Sequence, residues 1–357
     1  MIRICIILVI ALYLSLYIPT NLQANWNSLD STTHALISRG LNLTYINEYA
    51  DALNIFEELI TRHPNEPMGY LGAATVYQTI LRNYRTRTYE TAYDSLLSLS
   101  IRVGESAIRT DNNNVLAYLY LGGAYGYRGL YNMRKHQWYS ALKDGWRGIS
   151  RLKKCIDLDA ELYDAYFGLG LYHYWRSAKA NVLKFLPFVD SKQMGIDEIQ
   201  LAIAKGRYSS VQGKFALIYV YYDEQQYDEA LAIAHELHRL FPNNASCQYM
   251  LSRIYEQLGE WQKSRMYFTQ LLTHLESSEY TTTGYLIECH YRLAQCLLHL
   301  GESDTALIMI EKAMLLRTHH DPAAEINGPL EDVDTIVEAA EKFYHEITSK
   351  PTAHFSK

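Results

Sequence analysis

The chain has 357 residues, a formal net charge of -6 and 48% hydrophobic residues. Its Lys and Arg residues do not cluster on any segment, which argues against a nucleic-acid partner, because phosphate binding needs a concentrated basic face. The length exceeds what one compact core normally organises. A repeat architecture avoids that limit, because its core grows along one axis.

The first 24 residues predict an export signal. Arg3 precedes an apolar run over residues 4–18 that stops at Pro19. This run is shorter than the roughly 20 residues of a membrane-spanning helix and is typical of a secretory signal. Ala24 supplies a small residue at the cleavage position, so we expect a mature chain that is exported, periplasmic or envelope-associated, and soluble. Leu22 suits the third position before the cut less well, which leaves an uncleaved anchor as the alternative.

A spacing of 48 residues relates three central stretches of the chain. Tyr70, Tyr118 and Tyr166 stand in register at this spacing. The register predicts units at residues 67–114, 115–162 and 163–210. Stacked units of this kind build a solenoid, which usually presents a binding surface.

Shorter units flank the central ones. Within residues 211–244, apolar residues recur every three or four positions in two blocks, and Pro242 closes the second block. This pattern predicts two amphipathic helices, and it resembles the tetratricopeptide repeat, a helix-turn-helix unit of 34 residues. The same template fits residues 33–66, 245–278 and 287–320. The resemblance implies an all-α, right-handed superhelical solenoid of about seven helix-turn-helix units over residues 25–320.

The remaining segments have their own predictions. The central units are 14 residues longer than the template, which two extra turns on each helix would absorb. Residues 181–190 contain Pro187 and predict an apolar loop that packs inward or contacts a membrane or a partner. Residues 321–357 predict a capping helix and a frayed tail.

The sequence offers little support for chemistry. His235 and His238 stand three apart on a predicted helix, but a zinc site ordinarily needs three or four protein ligands, so we predict no metal. No glycine-rich phosphate loop or nucleophile elbow is recognisable. We therefore expect no cofactor, no catalytic residue and no enzyme activity.

A free-thiol state is expected for the four cysteines beyond the signal. They fall on apolar faces of predicted helices, where burial explains them better than disulfide bonds. They are Cys155, Cys247, Cys289 and Cys296.

Tetratricopeptide proteins usually bind peptides on the concave face lined by the first helix of each unit. One repeat position on that face holds large apolar residues, which we expect to form an exposed ligand groove: Leu119, Phe167, Phe215, Tyr249 and Tyr291.

Polar anchors are predicted at the ends of the same helices, where an aromatic ring is followed by Arg. They are Tyr127 with Arg128 and Trp175 with Arg176. The alternative is an internal stack that braces the longer helices.

The resemblance implies a non-catalytic scaffold or adaptor of the cell envelope that holds a protein or peptide partner. A carbohydrate- or cell-wall-binding subunit for polysaccharide export or wall synthesis is the alternative.

Overall fold

The computed structural model describes Trp26 and residues 29–178 and 192–349. These residues form α-helices and one short 3-10 helix at Pro322–Ala324, which confirms the predicted all-α fold. The helices are α1 Ser31–Tyr45, α2 Tyr49–Arg62, α3 Met68–Tyr84, α4 Glu90–Thr110, α5 Val115–Arg134, α6 Trp138–Leu158, α7 Asp164–Ala178, α8 Lys192–Lys205, α9 Ser210–Asp223, α10 Tyr227–Leu240, α11 Ala245–Gln257, α12 Trp261–Glu276, α13 Thr283–His299, α14 Ser303–Arg317 and α15 Val333–Ser349.

The helices pack as consecutive pairs, from α1 with α2 to α13 with α14. The first helices of neighbouring pairs also contact each other: α1 with α3, α3 with α5, α5 with α7, α7 with α9, and α9 with α11. These first helices therefore line one side of the molecule, the inner side, and the second helices lie outside them. This is the arrangement of an α-solenoid.

The turns inside the pairs share a backbone feature. In every such turn that the structure describes, one residue has a positive φ angle: Asn47, Arg85, His136, Gln225, Gly259 and Gly301. A left-handed residue ends a helix and reverses the chain within a few residues. The recurrence of this turn makes the pairs structurally equivalent units.

The longest helices that the structure describes are α4, α5 and α6, in the first two central units, whereas α7 and α8 of the third central unit have 15 and 14 residues. α5 has 20 residues and α6 has 21, whereas α9 and α10 have 14 each. Glycines let α5 and α6 approach closely, because a Cβ atom at Gly148 would lie 3.0 Å from the Gly122 carbonyl oxygen. The glycines of α5 therefore serve helix packing.

The solenoid closes across its inner side. α3 contacts α11, although more than 150 residues separate them in sequence. After α3, Arg85 pairs with Glu288 on α13, and Thr86 forms an isolated antiparallel bridge with Glu325. The Thr282 hydroxyl donates to the Tyr84 carbonyl oxygen at 3.2 Å. Units from the two ends of the solenoid thus contact each other directly.

α15 covers the last repeat. Its Ile336, Val337 and Ala340 pack against Ile287 and Ile310 of α13 and α14. A terminal repeat needs such a cover, because its apolar face has no further unit to pack against.

The four cysteines are buried and free, as predicted. Burial raises the pKa of the Cys247 thiol to about 12 and that of Cys296 to about 11. The predicted signal at residues 1–24 and the predicted apolar loop at residues 181–190 lie outside the described residues.

Candidate functional site

The structure contradicts the expected exposed groove. Leu119, Phe215, Tyr249 and Tyr291 are all buried, with 1% of Tyr249 accessible to solvent, and only Phe167 is partly exposed. The prediction assumed an open inner side, on which one repeat position would form a continuous stripe. The closure of the solenoid turns most of these positions into core.

Each buried ring has a partner within the chain. The Tyr249 hydroxyl donates to the Glu288 carboxylate at 2.9 Å, and the Arg82 guanidinium lies 5.4 Å from the centre of the Phe215 ring. Tyr291 meets Phe343 of α15 edge to face, with ring centres 5.5 Å apart. These contacts assign the rings to packing.

Trp26 fills part of the inner side. Its ring packs edge to face on Tyr120 of α5 and on Tyr208 just before α9, and its carbonyl oxygen lies 2.9 Å from His34 Nε2 of α1. Three repeat units therefore contact this one residue. The chain itself occupies the surface that the family resemblance had suggested for a ligand.

A buried ionic cluster seals the opposite part of the inner side. It consists of three arginines and three glutamates: Arg85, Arg253, Arg292, Glu256, Glu288 and Glu331. Arg85 also lies over the Tyr285 ring, 3.7 Å from its centre. Burial raises the pKa of Glu288, but the three arginine charges outweigh burial and hold it below its ordinary value. Because its charges are matched within the chain, the cluster is structural.

Two of the predicted polar anchors form hydrogen bonds with other side chains of the protein. Tyr127 donates its hydroxyl to the Gln212 side chain at 3.0 Å. Arg128 forms two hydrogen bonds to the buried Asp144 carboxylate, at 2.7 and 2.8 Å. These contacts favour the bracing interpretation for this pair.

The second pair of anchors lies nearer the surface. Trp175 is partly buried against Tyr174, with ring centres 5.0 Å apart. Arg176 donates to the Tyr172 hydroxyl at 3.3 Å and lines a surface cleft.

An unpredicted surface lies on α6. Four large apolar side chains project from this helix into solvent, with exposures of 56% for Trp138, 80% for Tyr139, 47% for Leu142 and 69% for Trp146. We call these four residues the aromatic face. Monomeric proteins rarely expose several large apolar groups together, and such patches mark interaction sites.

The opposite face of α6 explains this orientation. Gly148, Leu152 and Cys155 recur at helical spacing and are buried where α6 packs on α5 and α7. Since the small and aliphatic residues occupy the packed face, the aromatic rings at other phases of the helix turn outward. The Arg128–Asp144 pair fixes the rotation of α6 against α5.

A cleft adjoins the aromatic face between α6 and α7. Its volume is about 490 Å³, and Trp146 belongs to both surfaces. We call it the α6–α7 cleft, and its lining residues are Trp146, Ile149, Ser150, Lys153, Lys154, Asp157, Tyr172 and Arg176. This volume lies within the range of about 300–1,000 Å³ that is usual for ligand sites.

The sequence contains a pattern that predicts the aromatic face, although the repeat template does not include it. Trp138, Leu142 and Trp146 follow at intervals of four residues, out of phase with the packed stripe through Gly148 and Leu152. The family resemblance implies binding on the first helix of each unit, whereas α6 is a second helix. A comparison of the two stripes on α6 would have revealed its exposed face.

The two histidines considered for a metal have other partners. His235 Nε2 lies 2.7 Å from the Tyr255 hydroxyl, and His238 packs edge to face on Tyr267. Burial lowers the pKa of both imidazoles. Within the described residues, no group of three His, Cys, Asp or Glu side chains has the geometry of a metal site.

Comparisons with known proteins agree with the repeat architecture. Residues 215–276 match the family model of the tetratricopeptide repeat. This match confirms the predicted resemblance to the tetratricopeptide repeat over these residues. No curated protein sequence matches the chain.

Solved structures are similar to parts of this chain. The crystal structure of the APC/C hetero-tetramer Cut9–Hcn1 is similar to 90% of this chain with a TM-score of 0.54 and 12% sequence identity, and the match covers 52% of the chain in that structure. This protein thus spans about half the length of that relative. YrrB, a TPR protein with an unusual peptide-binding site, matches 67% of this chain and 97% of its own at 15% identity and a TM-score of 0.44. TTC0263, a thermophilic TPR protein of Thermus thermophilus, matches 63% of this chain and 98% of its own, at 15% identity and a TM-score of 0.40.

Proposed function

We propose that the protein is a non-catalytic scaffold that binds a protein or peptide partner through the outer surface of α6. The aromatic face is the observation that carries this proposal. Trp138, Tyr139 and Trp146 are residue types that dominate the energy of protein interfaces. Four large apolar groups left in water reduce solubility, and a partner that covers them removes that disadvantage.

The repeat architecture supports the same function. Tetratricopeptide repeats are generally protein-interaction scaffolds. The inner side of this solenoid is filled by Trp26 and by the buried ionic cluster that contains Arg85 and Glu288. A partner therefore has better access to the outer helices, of which α6 exposes the largest group of aromatic side chains among the described residues.

Site-specific photo-crosslinking tests the proposal. A photoreactive phenylalanine analogue replaces Tyr139, and in a matched control it replaces Leu315, which is 68% exposed on α14. We expect the Tyr139 position to give one dominant crosslinked partner in native cells and the Leu315 position to give none. Trp138→Ser with Trp146→Ser should remove that product. Equal products from both positions, or none at Tyr139, would refute the proposal.

An envelope location is part of the proposal. Its support is the sequence of residues 1–24, with one positive charge, a short apolar run and Ala24. No described helix has the length and apolar character needed to cross a bilayer. Contact of residues 181–190 with a membrane stays a prediction from their apolar sequence. Intact-mass measurement of the native protein tests export, since cleavage after Ala24 leaves Asn25 as the first residue.

A carbohydrate-binding subunit for polysaccharide export or wall synthesis is the second candidate. The observation that favours it is the pair of exposed indole rings at Trp138 and Trp146. Flat aromatic rings stack on the apolar faces of sugar rings. Binding to immobilised cell-wall glycans that Trp146→Ala abolishes would favour this candidate over a protein partner.

A further inference from the structure

The α6–α7 cleft has a charge that differs from the charge of the whole protein. α6 contains five cationic residues and two acidic residues, although the chain carries a net charge of -6, so the expectation that Lys and Arg do not cluster on any segment is wrong for this helix. Three of its lysines are exposed, namely Lys143, Lys153 and Lys154. A local positive surface on an acidic protein attracts an acidic ligand and orients it before contact.

Two other charges of α6 are already paired. Arg151 forms an ion pair with Glu105 at 3.1 Å, and Asp144 binds Arg128. Lys153 and Lys154 form no ion pair with any part of the chain that the structure describes, and both line the cleft. Asp157 is the one acidic side chain in the lining. The cleft therefore presents two cations that lack a protein counter-ion within the described ranges.

We propose that the α6–α7 cleft and the aromatic face bind an extended acidic segment of a partner protein. Carboxylates of the segment lie against Lys153 and Lys154, and an aromatic or aliphatic side chain of the segment packs on Trp146 and Tyr172. This inference rests on the proposed function and names the chemistry of its partner. From Trp138 to Lys154 the surface is about 24 Å long at 1.5 Å per residue, which roughly seven extended residues span.

The shape of the site favours a peptide over a membrane. The cleft is a concave space of about 490 Å³ between two helices, which a chain with protruding side chains fills and a planar lipid surface does not. A neighbouring cleft between α7 and α8, of about 300 Å³, is lined by Asp197 and Glu198 and repels the same segment. Charge thus directs an acidic segment to the α6 side.

Fluorescence anisotropy with the full chain tests this inference. The probe is a fluorescein-labelled peptide of about eight residues in which Glu alternates with Leu and Phe, and its matched control has Gln in place of Glu. We expect Lys153→Gln with Lys154→Gln to weaken binding of the acidic probe about tenfold, since the variant loses two exposed ion pairs with the carboxylates of the probe. Trp146→Ala should weaken binding about tenfold as well, through the loss of an aromatic anchor.

Matched variants show whether the site is specific. Lys312→Gln with Lys342→Gln changes the same charge on α14 and α15 and should leave probe binding unchanged. Raising the salt concentration from about 50 to 200 mM should weaken binding to the wild type more than binding to the Lys153→Gln, Lys154→Gln variant. Equal binding of the Glu and Gln probes, or an equal loss in the Lys312 and Lys342 variant, would overturn the inference.

Two further measurements separate the competing occupants. Co-sedimentation with vesicles of phosphatidylglycerol and phosphatidylcholine that Trp138→Ser with Tyr139→Ser abolishes, without binding of the acidic probe, would identify an anionic membrane as the occupant. Concentration-dependent dimerisation that Trp146→Ala abolishes, again without probe binding, would identify a second copy of the chain. Crosslinking from Tyr139 to a neutral segment of a partner would leave the proposed function standing and overturn only the acidic segment.

Discussion

The buried pair of Arg85 and Glu288 should determine whether the solenoid stays closed. Both side chains are almost completely buried, and they join the turn after α3 to α13. Glu288→Gln keeps the shape of the side chain and its contact with the Tyr249 hydroxyl but removes the charge that Arg85 and Arg253 face. Removal of one member of a buried ion pair leaves the other charge uncompensated and costs about 3–5 kcal/mol.

An exposed pair provides the matched control. Glu58 and Arg62 form an ion pair at 2.6 Å on α2, with both side chains about half exposed. Glu58→Gln should therefore lower the free energy of unfolding by no more than about 0.5 kcal/mol. Urea unfolding followed by circular dichroism measures both variants, and small-angle scattering measures whether the Glu288→Gln protein becomes more extended.

A double-mutant cycle and the pH dependence complete the test. Arg85→Met combined with Glu288→Gln should cost about 1–3 kcal/mol less than the sum of the single changes, because the two side chains contact each other. The pKa of Glu288 is held below its ordinary value, so its contribution is present above about pH 4.5 and is lost as the pH falls through the native pKa. The closure argument would be refuted if Glu288→Gln lowered the free energy of unfolding no more than Glu58→Gln does and left the dimensions of the protein in solution unchanged.

Two further predictions concern single positions. Burial, with a smaller contribution from Lys312, lowers the pKa of His290 to about 4. As the pH falls, the unfolded chain therefore takes up this proton before the folded protein does, and the free energy of unfolding decreases by about 3 kcal/mol between about pH 6.5 and 4. His290→Gln should remove this pH dependence in urea titrations across the same range. A Cβ atom at Gly170 would lie 2.6 Å from the Gly195 carbonyl oxygen, whereas one at Gly126 would meet nothing within 4 Å. Gly170→Ala should therefore lower the free energy of unfolding by about 1–3 kcal/mol, and Gly126→Ala should raise it by about 0.5–1 kcal/mol. An unchanged free energy of unfolding for Gly170→Ala, measured with urea, would contradict the close approach of α7 and α8.

The repeat architecture was predictable because its contacts are local. Helix periodicity and the turn after each first helix lie within one unit, and the register of Tyr70, Tyr118 and Tyr166 relates successive units. The four buried cysteines followed from the same periodicity, since they fall on the apolar faces of their helices. Features that depend on neighbours in sequence were therefore accessible without a structure.

The closure of the solenoid was not predictable in this way. Arg85 and Glu288 are separated by about 200 positions, and neither residue has a local feature that predicts its partner. The left-handed conformation of Arg85 adds no such signal, because non-glycine residues adopt it in other turns of this protein. Small rotations between successive units add up along the chain, and their sum determines whether the two ends meet.

Closure also explains why the predicted groove was wrong while the repeat assignment was right. Tyr249 occupies a first-helix position that would face a ligand in an open solenoid, yet here it contacts Glu288 and lies beneath Arg85. The outside of α6 stays free, because α6 packs mainly on α5 and α7, the helices before and after it. Trp146, which belongs to the aromatic face and to the cleft, then becomes the side chain best placed to meet a partner. We therefore expect the partner to bind the exposed face of a second helix. Trp146→Ala should weaken partner binding, whereas Tyr249→Phe should weaken it only if the partner binds the inner side.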